Sequence, residues 1–374
     1  MKKFLLGTTA LVGVAAFAAG AHAEPTVSLG GYFDFQAGFA DQDSPFDATG
    51  ASSRDAKFAN DTKVDVNVEG TSDNGLRYGS VIRLQADLNA SADNNGLNAE
   101  RTYLFVESNA GRVEAGSNLS AANNMKVDAA TIARATGGID GDWYRFVTLP
   151  GQTNPSAASA TFITRPDLPL DANRGTTEDA NKITYYSPRF SGFQVGVSFT
   201  PDSGDAGTYL SHTGDLNGDQ ENVFSVGANY RGQFDQVGIQ ASATGEFGSS
   251  EIAGTEDLSA FQVGAVVSYQ GFSIAGSYGD WDDSTLPTAA TGNNDQDYFT
   301  LGATYETGPF GVSVTYLNSE RSDNDLDLVS VGADYQLAPG LVPYVEANFF
   351  DADAAGTTVD NTGTAVLVGT QLNF

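Results

Sequence analysis

Between residues 26 and 374 the sequence keeps repeating one pattern: apolar and polar residues alternate, a connection follows, and the alternation resumes. In LGATYETGPFGVSVTY, Leu301, Ala303 and Tyr305 alternate with Gly302, Thr304 and Glu306. After Gly308-Pro309, Phe310, Val312, Val314 and Tyr316 alternate with Gly311, Ser313 and Thr315. A period of two marks a strand with one dry face, and a Gly-Pro break between two such runs marks a hairpin. About sixteen strands are expected: 26–40, 62–70, 75–90, 98–108, 111–117, 181–187, 192–200, 222–231, 235–247, 258–269, 271–281, 296–307, 309–319, 326–337, 341–351 and 363–374. VGANY (Val226 to Tyr230), LGATY (Leu301 to Tyr305) and VGADY (Val331 to Tyr335) repeat one unit. Each sets apolar, Ala and Tyr side chains on one face, with Gly and a polar residue on the other. Each ends just before a turn, at Gly232, Gly308-Pro309 and Pro339-Gly340.

The connections alternate between short and long. Short ones fall near Ser72-Asp73-Asn74, Asn109-Ala110, Pro188-Arg189, Gly232-Gln233, Gln270, Gly308 and Ala338-Pro339. Long ones, rich in Asp, Asn, Gly, Ser and Thr, cover roughly 41–61, 91–97, 118–180, 201–221, 248–257, 282–295, 320–325 and 352–362. In an up-and-down antiparallel sheet, alternate connections lie at opposite ends. One end therefore carries the turns and the other the acidic loops. A soluble sandwich has no reason to sort its loops this way, whereas an outer-membrane barrel does.

Parity separates water from grease. Val27, Leu29, Phe33, Phe35 and Phe39 share one face of the first strand, with Tyr32, Asp34 and Gln36 on the other. Val64, Val66 and Val68 oppose Lys63, Asp65, Asn67 and Glu69, and the later strands behave alike. Open sheets rarely go far beyond ten strands. Closure removes both edges, and sixteen closed strands leave a lumen too wide to fill with side chains. The expected fold is all-β, a 16-stranded antiparallel transmembrane barrel with its polar face toward lumen water. Strand 98–108 fits either parity; an Arg facing lipid at mid-membrane costs roughly 2–4 kcal/mol. Leu104 and Val106 are therefore set outward, and Arg101 and Glu107 inward. Tyr230, Tyr269, Tyr305 and Tyr335, beside short turns, are expected to form an aromatic girdle at the periplasmic interface.

Met1-Lys2-Lys3, the apolar run Phe4 to Ala19 and the small-x-small site Ala21-His22-Ala23 read as a secretory signal peptide over 1–23, cleaved before Glu24. Nothing later resembles a spanning helix. The chain has no cysteine, so no disulfide is expected despite an oxidising compartment. Loss of Lys2 and Lys3 carries the formal charge from -29 to -31, which excludes nucleic acid as a partner. The 23 phenylalanines and 15 tyrosines exclude a disordered chain. His212 stands in a long loop with no Gly-x-Ser-x-Gly near it, and the sequence has neither a phosphate loop nor a Cys/His metal cluster, so no enzyme and no catalytic residue are expected. DLNGDQEN (Asp215 to Asn222) starts like a calcium loop with Asp215, Asn217 and Asp219. It fails because Gln220 stands where the turn needs Gly and Val226 where Glu belongs. No metal or cofactor is expected beyond loosely held divalent cations such as calcium at NNDQD (Asn293 to Asp297) and SDNDLD (Ser322 to Asp327), where they could bridge to lipopolysaccharide.

The signal peptide, the opening LGGYFDFQAGF, the strand RVEAGS (Arg112 to Ser117) before one very long loop, and the final strand VLVGTQLNF with Val366, Val368, Leu372 and Phe374 on its outward face occur in one order. In this the chain resembles a general porin of Gram-negative outer membranes, most similar to the alphaproteobacterial porins. The resemblance implies a homotrimer among outer-membrane lipid and lipopolysaccharide, assembled by the outer-membrane insertion machinery reading the strand that ends in Phe374. It also implies that loop 118–180, with Trp143, Tyr144 and Phe146, folds into the lumen and narrows it. Carried over, Asp128, Asp140 and Asp142 form an acidic rim facing a basic wall of Lys63, Arg83, Arg101 and Arg112, with a transverse field between them. The function so implied is passive diffusion of small hydrophilic solutes and ions; the many acidic residues add the expectation of a modest cation preference, since wall carboxylates raise the local cation concentration. Two other readings are a substrate-specific outer-membrane channel and a secreted β-rich surface or adhesin protein.

Overall fold

The structure, a computed structural model, describes residues 24–43, 46, 56–86, 98–151, 161–167, 177–204, 219–289, 294–356 and 360–374. The expected signal peptide, His212, Asp215 and Asn217 lie outside them. The described residues form sixteen strands: β1 (Thr26–Gln42), β2 (Ala56–Thr71), β3 (Arg77–Gln85), β4 (Asn98–Ser108), β5 (Gly111–Ser117), β6 (Asn181–Tyr186), β7 (Phe193–Asp202), β8 (Gln220–Phe234), β9 (Val237–Ser250), β10 (Leu258–Tyr269), β11 (Phe272–Asp280), β12 (Gln296–Thr307), β13 (Phe310–Arg321), β14 (Asn324–Tyr335), β15 (Leu341–Asp353) and β16 (Asn361–Asn373). Each pairs antiparallel with its neighbours in sequence, and β1 pairs with β16 to close the barrel. At the seam Phe33 opposes Leu372 and Phe39 opposes Val366. Gly31 and Phe374 exchange backbone hydrogen bonds of 3.0 and 3.1 Å.

Several strand ends shift by a few residues from the sequence expectation, as in β3, which spans Arg77–Gln85 rather than 75–90, and four differences have a clear local reason. Strand β2 starts at Ala56 rather than residue 62, because Ala56 to Asp61 continue the ladder with β1 and turn Phe58 outward onto Phe35, ring centroids 5.8 Å apart. The hairpin expected at Gly232-Gln233 turns instead at Asp235-Gln236, with Asp235 at φ 54°. The turn placed at Pro188-Arg189 is made by Ser191-Gly192, at φ 49° and 91° and closed by a Phe190–Phe193 bridge. The long connection expected at 320–325 is a two-residue turn, Ser322-Asp323, at φ 53° and 64°. Two consecutive positive φ values suit the twist of a two-residue hairpin, and Asp tolerates them.

The burial pattern is that of a soluble protein turned inside out. Val27 and Leu301 are each 57% exposed on the outer face, while inward Gln36 and Thr300 are buried. In β4, Leu104 and Val106 face out, and Phe105 faces in beneath the Arg112 guanidinium, 3.9 Å from its ring centre. Tyr269 and Tyr335 lie exposed at the short-turn end, Tyr230 packs on Phe193 at 4.7 Å, and Tyr305 on Phe272 at 4.4 Å. A second aromatic band circles the long-loop end, where Phe261 meets Tyr278 and Phe299 meets Tyr316, joined by Phe247 and Phe349. Phe261 and Tyr269 bracket about 26 Å of strand β10 at the usual rise per residue, enough to cross the apolar layer at a tilt.

The outer face predicts a directional cost. Val331→Arg, in the middle of β14, should destabilise the barrel by about 2–4 kcal/mol in phospholipid vesicles, measured by denaturant titration of refolding.

Candidate functional site

The connection from β5 to β6 bends into the lumen. Its described part carries a short helix, α1 (Ala121–Met125), and 3-10 turns at Ala129–Ile132, Gly138–Asp140 and Asp142–Arg145. Ser120 caps α1 by accepting the Asn123 N–H at 3.3 Å. Asp128 caps the first 3-10 turn by accepting the Thr131 N–H, while the Thr131 hydroxyl accepts the Asp128 N–H, both at 3.0 Å. Such reciprocal caps satisfy the amides that a short turn leaves open.

The loop follows the inner wall from β7 round to β1, and the wall is shaped to receive it. Where it passes closest, the inward residue is glycine. A Cβ at Gly227 would press on Met125, one at Gly264 on the Val127 carbonyl, one at Gly302 on Ala129, one at Gly332 on the Arg134 carbonyl, and one at Gly38 on the Phe146 ring. Gly227, Gly302 and Gly332 are the glycines of the repeated VGANY, LGATY and VGADY units. The repeat therefore encodes a seat for the loop as well as a strand.

Between the seats, wall side chains hold the loop. Glu246 on β9 is fully buried and accepts from the hydroxyls of Ser120 and Ser225, both at 2.6 Å, and from Thr177 at 2.9 Å. Glu346 on β15 accepts the Thr136 and Gly138 amides at 3.1 and 3.2 Å. Arg134 makes a two-pronged contact with Asp334, at 2.8 and 2.7 Å. Under these anchors an apolar cluster fills the space between loop and wall: Ile139, Trp143, Phe146 and Val147 from the loop, with Leu317, Leu328, Phe350 and Leu367 from the strands. The Trp143 and Phe350 rings are 5.6 Å apart.

The wall from β2 to β6 carries ion pairs that remain partly open to solvent. Lys63 binds Glu100 at 2.7 Å, Arg83 binds Asp65 at 2.7 Å, Arg101 binds Glu178 at 3.0 Å with Asp179 at 3.6 Å, and Arg112 binds Glu114 at 2.6 Å and Glu107 at 3.3 Å. The four expected wall cations thus share one inward strip, each beside a carboxylate of its own. The expected acidic rim is rearranged. Asp128 is 3% exposed and spent on its cap and on Lys126 at 3.5 Å, so it is not a rim residue. Asp140 is exposed, and Asp142 accepts from Gln36 at 2.7 Å and pairs with Arg145 at 3.1 Å. A field drawn simply between loop acids and wall bases is replaced by a mosaic of local pairs.

Lys126 sits among Asp128, Asp140 and Asp167. Burial alone would lower its ammonium, but these carboxylates more than offset that and hold it well above its ordinary value. Burial pushes Glu178 and Asp179 above the usual carboxylate range; Asp167 and Asp179 add to the effect on Glu178, and Glu100 to that on Asp179, while Arg101 opposes both. Glu246, Glu346 and Arg134 escaped the sequence reading because each looks like an ordinary lumen or loop charge. Gly332 opposite Glu346 and Gly311 beside Arg134 were the available signal.

A family model described as Gram-negative porin matches residues 7–355. An uncharacterized protein of Rickettsia felis is 27% identical, with 100% of both chains covered, and one of Rickettsia typhi is 28% identical over 94% of each. Among solved structures the fold is similar to a mutant of the Rh. blastica porin, at TM-score 0.60 and 18% identity, covering 93% of this chain and 100% of that one. It is also similar to an anion-selective porin from Comamonas acidovorans, at TM-score 0.63 and 17% identity, covering 94% and 100%.

Removing the central ring of the loop's packing should free the loop and spare the barrel. Trp143→Ala is expected to weaken loop docking by about 3–5 kcal/mol. Hydrogen exchange over residues 137–150 should accelerate while protection in β1 to β16 stays unchanged.

Proposed function

The chain belongs to the Gram-negative porin family and is a multi-pass β-barrel of the outer membrane. From that membership we propose that it forms a water-filled channel through which small hydrophilic solutes and ions diffuse passively, with no catalytic step. The observation that carries this reading is the strip on β2 to β6. Its charged side chains face inward and remain partly solvated, while the apolar part of the inserted loop packs along β8 to β16. Charged side chains at a constriction select by size and sign.

In the strip, Asp61, Asp65, Glu69, Glu100, Glu107, Glu114, Glu178 and Asp179 outnumber Lys57, Lys63, Arg77, Arg83, Arg101, Arg112 and Lys182 by one. An excess of fixed carboxylates raises the local cation concentration. The channel therefore prefers cations modestly, opposite to the anion selectivity in the description of the Comamonas porin. In this proposal the protein loses residues 1–23 on export. It is inserted by the outer-membrane assembly machinery, which reads the strand ending in Phe374, and works as a homotrimer among lipid and lipopolysaccharide.

Planar-bilayer recordings under a potassium chloride gradient test the reading. A reversal potential of the sign set by potassium is expected. A silent bilayer would overturn the proposal. Because the Glu178 and Asp179 carboxyls are raised, they take up protons sooner than ordinary carboxylates as pH falls. Mild acidification should therefore reduce the potassium preference. Joint Glu178→Gln and Asp179→Asn substitution should lower it by about twofold at neutral pH and flatten that pH response, since two of the strip's fixed charges are gone.

A further inference from the structure

We propose that Asp202, Asp219 and Glu251 bind a divalent cation, calcium by its ligand chemistry, at the long-loop end of the barrel. Asp202 is the last residue of β7, Asp219 directly precedes β8, and Glu251 directly follows β9. One carboxylate oxygen from each converges within 4.8 Å of the others. Three negative charges so close repel one another unless something positive lies between them.

The state of the individual oxygens points to a ligand. Asp202 and Asp219 are 5% and 6% exposed. Asp202 Oδ1 accepts the Gly204 N–H at 2.8 Å, but the buried Asp202 Oδ2 has no hydrogen-bond donor. Asp219 Oδ1 is likewise buried and has none, and the adjacent Gln220 Oε1 is a third buried acceptor without a donor. A buried polar oxygen without a partner is rare, and a carboxylate oxygen is the most costly kind. Among the described residues no lysine or arginine forms an ion pair with either aspartate. Elsewhere a buried carboxylate oxygen without a hydrogen bond belongs to a group that still has a donor or cation beside it, as at Asp61 with Tyr32, Glu100 with Lys63 and Asp179 with Arg101, while Glu246, Glu346 and Asp334 are held by hydroxyls, amides and Arg134.

The donors are all hard oxygens, with neither imidazole nor thiolate among them. That set suits calcium or magnesium rather than zinc. Calcium accepts six to eight oxygens in irregular geometry, which a site assembled from three strand ends can offer; magnesium needs a near-ideal octahedron. Local sequence fails here as a guide. Asp219 belongs to DLNGDQEN, which lacks the Gly and the Glu of a contiguous calcium loop. Tertiary structure replaces those missing positions with Asp202 and Glu251. A cation held there ties the β7–β8 connection to the β9–β10 connection.

Isothermal titration calorimetry of the folded, chelator-treated full-length barrel in detergent tests this, with calcium chloride and magnesium chloride as titrants. The wild-type protein should show one saturable calcium site per chain and bind magnesium more weakly. Joint Asp202→Asn and Asp219→Asn substitution should weaken calcium binding at least tenfold, as loss of ligand charge does in other oxygen sites. Glu251→Gln, at a less buried position, should also weaken it and serves if the double variant does not fold. Absence of a saturable calcium heat, or an affinity unchanged in Glu251→Gln, overturns the proposal. Neither outcome bears on whether the barrel conducts.

Discussion

The ladder closes where Phe33 meets Leu372 and Gly31 meets Phe374, so no strand edge is left with unpaired amides and carbonyls in the apolar layer. Given that closure, the alternation of each strand does the rest. Alternate residues from Val27 to Leu372 turn outward and are mostly apolar; their neighbours turn inward and are mostly polar or small, except where they pack against the inserted loop. The hydrophobic term that drives a soluble sheet together here fixes which way the sheet faces. A slip of one residue in any pairing would turn a strand's whole polar set toward lipid.

Inside the barrel the logic inverts again. The inserted loop carries its own dry core, centred on Trp143, and the wall answers with Leu317, Leu328 and Phe350 at positions that would otherwise line water. The apolar patch runs along β8 to β16 and reaches β1 and β2, where the paired charges of β2 to β6 take over the wall. Buried carboxylates such as Glu246 and Glu346 organise the loop by collecting hydroxyls and amides that it cannot satisfy itself. The solvated pairs on the strip are worth little to stability, and their chief effect falls on what shares the water with them.

Most of the barrel was legible in the sequence because its signal is local and periodic. Strands such as β4, β5, β10 and β12 begin and end where alternation does. Boundaries failed where alternation continues through residues that resemble a turn, as at Gly232, or where Asp adopts a positive φ without an adjacent Gly, as at Ser322-Asp323. The lumen was harder. Lys63, Arg83, Arg101 and Arg112 could be placed on the wall by parity, but parity does not say that each stands beside its own acid. Asp128 looked like a rim residue because it is charged and in the loop; its cap role depends on Thr131 and its burial on the wall behind it.

The far end of the loop reaches the seam. Gln36 on β1 donates to Asp142, Gln42 accepts the Thr148 amide at 2.7 Å, and Asn361 on β16 donates to the Thr148 carbonyl at 2.6 Å. Strands β1 and β16 are the one neighbouring pair that no turn connects. The segment that narrows the passage is therefore also a rivet across the join between first and last staves. Prising that join apart from the side means undocking the plug first, whereas the plug can leave an intact cylinder behind.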